Sequence, residues 1–372
     1  MDSIFSAPDP REMAAPAAES FRRRVRAHSL LHSCEHVDAE RRAEIAREIM
    51  ILGPETLPVL HELSGSPHEN TATLARALVR LLMPDEVGRL MYQGLQRGSD
   101  DFALEHGVAV LSRLSYPDLA IEGVLRELDE LGRKAATFIY EQLAIEPSEA
   151  RKAAAHRTLD LIKTLGEFWR REGFHGDAES YYNDRNSYLP DVLARRTGLP
   201  IMLSIVYLSV ARRLFLNADG VGLPGHFIVR VRVQTKEGEQ FVLIDPFNGA
   251  RALDLDDCRR HVEGAGHSFA PDMHLRATPA REILSRVCNN LLALFDHQKK
   301  LLEAERVSTV LVHLQPHDPV PLLIRAERRL RLGERRGARL DFEGARRLDP
   351  SGPIGHTAEE LLRRMEYESP FR

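Results

Sequence analysis

The chain has 372 residues, too many for one compact core, which points to two or three modules. Hydrophobic residues at 43%, charged residues at 28% and a net charge of −4 are ordinary for a soluble globular protein and argue against a nucleic-acid or anionic-membrane surface. Three well-separated cysteines, Cys34, Cys258 and Cys288, argue against a disulfide framework and for a reducing, cytoplasmic setting. No charge-free apolar run is long enough for a membrane helix, and the acidic, proline-containing start has no basic-then-apolar leader.

Residues 1–18, rich in Ala, Pro and Ser, read as a flexible arm. From 19 to 135 the pattern is helical. Pro54, Pro84 and Pro117 each precede an amphipathic stretch, as at a helix start, and recur roughly every 30 residues. That spacing predicts a HEAT-like stack of helix pairs or an irregular helical bundle. Two further helices are expected over 136–180, the second holding the only tryptophan, Trp169. Pro190–Arg196 and Ile201–Leu216 read as helices. Phe227–Val233 and Phe241–Ile244 carry the strong strand signals. The tail returns to helices. Ala304 and Ala338 lie 34 residues apart, as do Pro316 and Pro350, with Gly333, Phe342 and Ala345 at tetratricopeptide-like positions and a capping helix from Thr357.

The most informative pair is His226, at the start of one strand, and Asp245, at the end of the next. Antiparallel pairing would bring them together, and a carboxylate beside an imidazole is the base half of a nucleophilic triad. The bland alternative is a buried His–Asp pair serving stability alone. His28, His32 and His36, with Cys34 near, follow at four-residue spacing, but no second cluster completes a metal site, and a chance histidine-rich face is the expectation. The Arg22–Arg26 run reads as a solvated face. No Gly-rich phosphate loop, H-E-x-x-H or C-x-x-C occurs, so neither cofactor nor metal is expected.

The run Tyr181–Ser187, then Val192–Ile201, Pro224-Gly225-His226-Phe227 and Asp245-Pro246-Phe247 resembles the bacterial SirB-type family. Members carry a transglutaminase-like domain followed by tetratricopeptide repeats. The resemblance covers about 136–350 and implies a papain-like logic: a Cys at a helix N-terminus, then a His and an Asp on neighbouring strands. Laid on this chain, the Cys position falls on Pro200, and Ser204 stands one helical turn on. Three alternatives follow. The domain is a pseudoenzyme that binds a peptide or protein partner; or Ser204, or Ser187, is a nucleophile activated by His226 and oriented by Asp245, making an amide-bond hydrolase or acyl transferase; or Cys258 approaches through the tertiary fold or the function is unrelated to the pair. Asn183, Arg185, Asn186 and Tyr207 are the candidate ligand-binding side chains, with helix capping the competing role for the Asn183–Ser187 segment.

The expected fold is α+β by class and mostly helical. It comprises a HEAT-like module over 19–135, a transglutaminase-like core over 136–275 and tetratricopeptide-like helices over 276–372. The expected partner is a protein or peptide, held by the helical repeats and the central cleft.

Overall fold

The computed structural model describes residues 15–98, 100–177, 182–236 and 238–367, so most of the expected N-terminal arm lies outside the described residues. The chain forms two compact units. One comprises Met1–Val87 with Arg113–Leu119, and the other Gly88–Ser112 with Ala120–Arg372. Neither 135/136 nor 275/276 divides them.

The first unit is built on α1 (Ala15–His32), α2 (Ala39–Leu52), α3 (Leu57–Leu63) and the first part of α4 (Glu69–Arg97). Asp38 caps α2 by accepting the Arg41 N–H at 2.8 Å. Gly53, at φ 84, ends α2, and Pro54 opens a 3₁₀ turn into α3, as the sequence predicts. Leu31, Ile45, Ile49 and Leu60 meet in its core. The arginine run is bonded within the unit. Arg22 and Arg23 reach Glu19, Arg26 reaches Glu48, and Arg23 and Arg24 reach the Leu52 and Glu55 carbonyls.

Pro84 departs from expectation, because α4 runs unbroken through it. A proline inside a helix costs about 3 kcal/mol. Leu78, Val79, Leu82, Met83, Val87 and Met91 are buried at helical spacing on both sides. Each contributes about 1.5–3 kcal/mol, so burial outweighs the missing hydrogen bond. The 30-residue punctuation is therefore interrupted at its middle point. The helix that follows Pro117 begins at Ile121, not at Leu119.

The second unit continues with α5 (Asp100–Leu111), α6 (Ile121–Leu143), α7 (Ala150–His156) and α8 (Thr158–Arg171). Strand β1 (His175–Gly176), α9 (Leu189–Arg195) and β2 (Thr197–Gly198) lead into α10 (Pro200–Arg213). Every residue of α10 from Pro200 to Ala211 is buried, which makes it the central helix of the unit. Its last turn is tied down by Arg213, which forms a forked pair with Glu105 at 2.8 and 2.9 Å and reaches Asp129 at 2.7 Å.

An antiparallel meander packs against α10: β3 (Ala218–Leu223), β4 (His226–Thr235), β5 (Gly238–Asp245) and β6 (Arg251–Leu253). The sequence gives clear strand signals for β4 and β5 only. The glycines of β3 hide its alternation, and β6 has three residues. Beyond the sheet lie α11 (Leu255–Gly264) and α12 (Pro271–His274).

The tail is a series of sequentially packed helices: α13 (Ala280–His297), α14 (Leu301–Leu314), α15 (Pro319–Arg331), α16 (Arg335–Leu348) and α17 (Pro353–Tyr367). Ala326, Ala338, Phe342, Ala345 and Ala358 form the shared core of α15, α16 and α17, the small side chains allowing close approach. The last helix starts at Pro353 rather than Thr357, because the Asp349 carboxylate accepts the N–H groups of Ile354 and Gly355 and supplies the first turn. A buried ionic cluster joins three of these helices. Arg325 forks onto Asp341 at 2.6 and 2.8 Å, and Arg329 reaches both Asp341 and Glu305 at 2.9 Å.

Candidate functional site

The meander brings His226 and Asp245 together. Val229 pairs with Ile244, so continuing the ladder puts Ile228 opposite Asp245 and His226 two residues along on the same face. His226 Nε2 lies 3.0 Å from Asp245 Oδ2. Both side chains are nearly covered, at 10% and 4% exposure.

Asp245 is held from several directions. It ends β5 and caps the 3₁₀ turn Pro246–Asn248, accepting the N–H groups of Phe247 at 3.1 Å and Asn248 at 3.3 Å. The Asn248 side-chain amide adds a bond of 2.7 Å. Burial pushes the Asp245 carboxyl up, but the His226 and Asn248 hydrogen bonds prevail and hold it below the ordinary carboxylate value. The turn is fixed from behind. Trp169 Nε1 donates to the Pro246 carbonyl at 2.9 Å, with Phe174 stacked on the indole and Tyr207 against its edge. Gly176 lies under the Phe247 ring, where a Cβ would come within 2.3 Å of it, and Phe247 in turn meets His226 edge-on.

The candidate nucleophiles are placed differently. Pro200 occupies the first turn of α10. Ser204 is fully buried, and its hydroxyl donates to the Phe227 carbonyl at 3.2 Å. Ser187 is buried where the 3₁₀ turn Asp184–Asn186 ends. Cys258 faces the core from α11, packed with Val221, Leu223, Ile228 and Val262. Burial first, then Asp257, Asp254 and Asp245, pushes its thiol up to about 11, away from thiolate chemistry. Cys34 and Cys288 are also buried with raised thiols. Among the described residues, no hydroxyl or thiol is hydrogen-bonded to His226.

The candidate ligand-binding residues are bonded within the fold. Asn183 caps the short turn by accepting the Arg185 N–H at 3.1 Å. Arg185 pairs with the buried Asp191 at 2.7 Å. Asn186, fully buried, donates to Asp177 and accepts from Arg195. Tyr207 is fully buried, its hydroxyl has no hydrogen-bond partner among the described residues, and burial raises its phenol. In the first unit, the His28 and His32 rings lie 4.3 Å apart and tilted by 31°, while His36 lies in the 3₁₀ turn beyond α1. Among the described residues, no three His, Cys, Asp or Glu side chains converge as a metal site, and no helix is long and apolar enough to cross a membrane.

Sequence reasoning missed His261. It projects from α11, and its ring centroid lies 4.8 Å from that of His226. The Pro224 backbone of the β3–β4 turn lies beside it and favours its charged form. Burial, then the neighbouring His226, pulls its basicity below the ordinary histidine value. A lone histidine on a polar helix gives no sequence signal of this kind.

A His–Asp pair on neighbouring strands that pack against a buried helix has the logic of the transglutaminase-like fold. Residues 122–289 match the transglutaminase-like superfamily. The chain is 37% identical over 250 residues to a UPF0162 protein of Xylella fastidiosa strain 9a5c, covering 65% of this chain and 82% of that one. The chain belongs to the UPF0162 family. A second relative, the UPF0162 protein of Pseudomonas aeruginosa, is 31% identical over 195 residues, which cover 52% of this chain and 64% of that protein. F-box only protein 21 of Homo sapiens is 33% identical over 219 residues, 54% of this chain but only 33% of the human protein. No solved structure matches.

Proposed function

We propose that this UPF0162 protein is a non-catalytic peptide- or protein-binding protein whose transglutaminase-like domain keeps the His226–Asp245 pair as the frame of a recognition cleft. The observation that carries this reading is the first turn of α10. Pro200 stands where the superfamily resemblance calls for a nucleophile, and Ser204, one turn on, spends its hydroxyl on the Phe227 carbonyl. A base without a nucleophile can still recognise a ligand, since an imidazole fixed by a carboxylate presents a defined hydrogen-bonding edge. The helices α14–α17, with helix starts recurring every 34 residues, act as a tetratricopeptide-like surface for the same or a second peptide. The match to one third of the longer F-box only protein 21 suits a recognition module more than a self-sufficient enzyme. The setting is cytoplasmic, and the partner is a protein.

The test uses covalent probes for reactive nucleophiles, a fluorophosphonate for serine and a vinyl sulfone for cysteine. The folded protein is expected to stay unlabelled, while peptides selected by display on the wild type lose binding on His226→Ala. Labelling that vanishes in Ser204→Ala or Cys258→Ala would overturn the proposal and make the protein an acyl-transfer enzyme.

A further inference from the structure

The segment that follows the meander lies over the His226–Asp245 pair, yet it is held to the domain by few contacts. Between Asp254 and Leu275 the buried residues are Cys258, Val262 and His274. In α11, Cys258 and Val262 are the two buried side chains, set into the apolar patch of Val221, Leu223, Ile228 and Leu243, with Phe269 and Leu275 packed half-buried against the same patch. Polar links add little. Arg251 reaches Asp257 at 3.5 Å, and Arg230 donates to the Leu275 carbonyl at 2.9 Å. Gly266 follows the helix at φ 84, a left-handed position suited to a joint. Elements with so little buried area open at a small fraction of the global unfolding free energy.

Among the described residues, the ring contact between this segment and the pair is made by His261. Its imidazole covers His226 at 4.8 Å with the rings tilted by 44°. The outer side of His261 is exposed to solvent, whereas His226 beneath it keeps 10% of its side-chain surface exposed.

We propose that residues 254–275 form a cover over the His226–Asp245 pair, that His261 is its closing contact, and that protonation of His261 loosens it. Facing His261 are His226 from β4, Asp245 from the end of β5 and the Pro224 carbonyl, while Asp254 and Asp257 belong to its own helix segment. The direction follows from the environment. Burial and His226 disfavour the imidazolium in the closed position, and Asp245 and the Pro224 carbonyl only partly offset them. The closed cover is therefore fully stable above the ordinary histidine value of 6.5 and loses stability as pH falls below it. Solvent on the outer face of His261 screens the effect and keeps it modest. The purpose of the cover, to gate a recognition cleft, rests on the function proposed above; its existence does not.

Cys258 supplies a readout independent of any ligand, because it is fully buried on the inner face of α11. Cys34 and Cys288, buried elsewhere, report global unfolding in the same sample. The full-length protein is treated with 4,4′-dithiodipyridine between about pH 8 and pH 5.5, a window that spans the titration of histidine. Labelling of each cysteine is quantified by peptide mass spectrometry. The Cys258 to Cys288 rate ratio is expected to rise about threefold across that range in the wild type and to stay flat in His261→Gln. Conversely, a flat ratio in the wild type, an equal rise in His261→Gln, or equal acceleration of all three cysteines would overturn the cover. None of these outcomes touches the recognition proposal, which fails instead on covalent labelling of a nucleophile.

Discussion

Asp245→Ala tests how firmly the pair is built. The carboxylate accepts four hydrogen bonds, from His226 Nε2, the Phe247 and Asn248 N–H groups and the Asn248 amide. At 3% exposure, water has little room to replace it. A hydrogen bond is worth about 1 kcal/mol net, and a buried donor left without a partner costs about 1–3 kcal/mol. Loss of the turn cap alone accounts for about 1 kcal/mol. With partial relaxation of Asn248, the substitution is expected to cost about 3–5 kcal/mol. In a unit of this size that corresponds to a fall of roughly 10 °C in Tm. Trp169 is the only tryptophan and donates to Pro246, next to the substituted residue, so urea unfolding followed by its fluorescence reports the right region. A loss below about 1 kcal/mol would refute the reasoning, since the four bonds would then be no better than those made to water.

Three further substitutions address separate parts of the molecule. Asp245→Asn keeps the shape and removes the titration. The wild-type carboxyl is held below 3.8, so its contribution is complete above that pH and is lost as pH falls through the lowered value. A stability profile of Asp245→Asn is expected to be flatter in acid, and equal slopes would assign the acid limb to other carboxylates. Asp341→Ala strands Arg325 in the tail at 9% exposure, and chemical denaturation is expected to register a loss of about 3–5 kcal/mol. Gly176→Ala drives a Cβ into the Phe247 ring and is expected to cost about 1–3 kcal/mol, whereas Gly264→Ala, with nothing within 4 Å, stays near neutral in the same melt.

Much of the site was legible in the chain because strand alternation is a local signal. The β-rich runs around His226 and Asp245 fixed which face each side chain takes, and the separation between them allowed one hairpin. The placing of Pro200 at the expected nucleophile position came from the resemblance, and the structure shows that α10 starts there. The roles of Asn183, Arg185 and Asn186 were less legible. Their donors and acceptors are spent on Asp177, Asp191 and Arg195, and capping residues look like ligand-binding residues until their partners are known. Pro84 misled because a local rule for helix starts met a long buried face on α4.

Sequence by itself determined the helical and strand periodicities, the His226–Asp245 pairing and the 34-residue recurrence of the tail. Each depends on residues near one another in the chain or on a repeated pattern. Tertiary structure alone decided that 88–112 and 120–372 form one unit and that Ser204 bonds to Phe227. The contact of the His261 ring with His226, like these others, depends on where distant segments stop against each other, and packing of buried surfaces sets that, not any spacing along the chain.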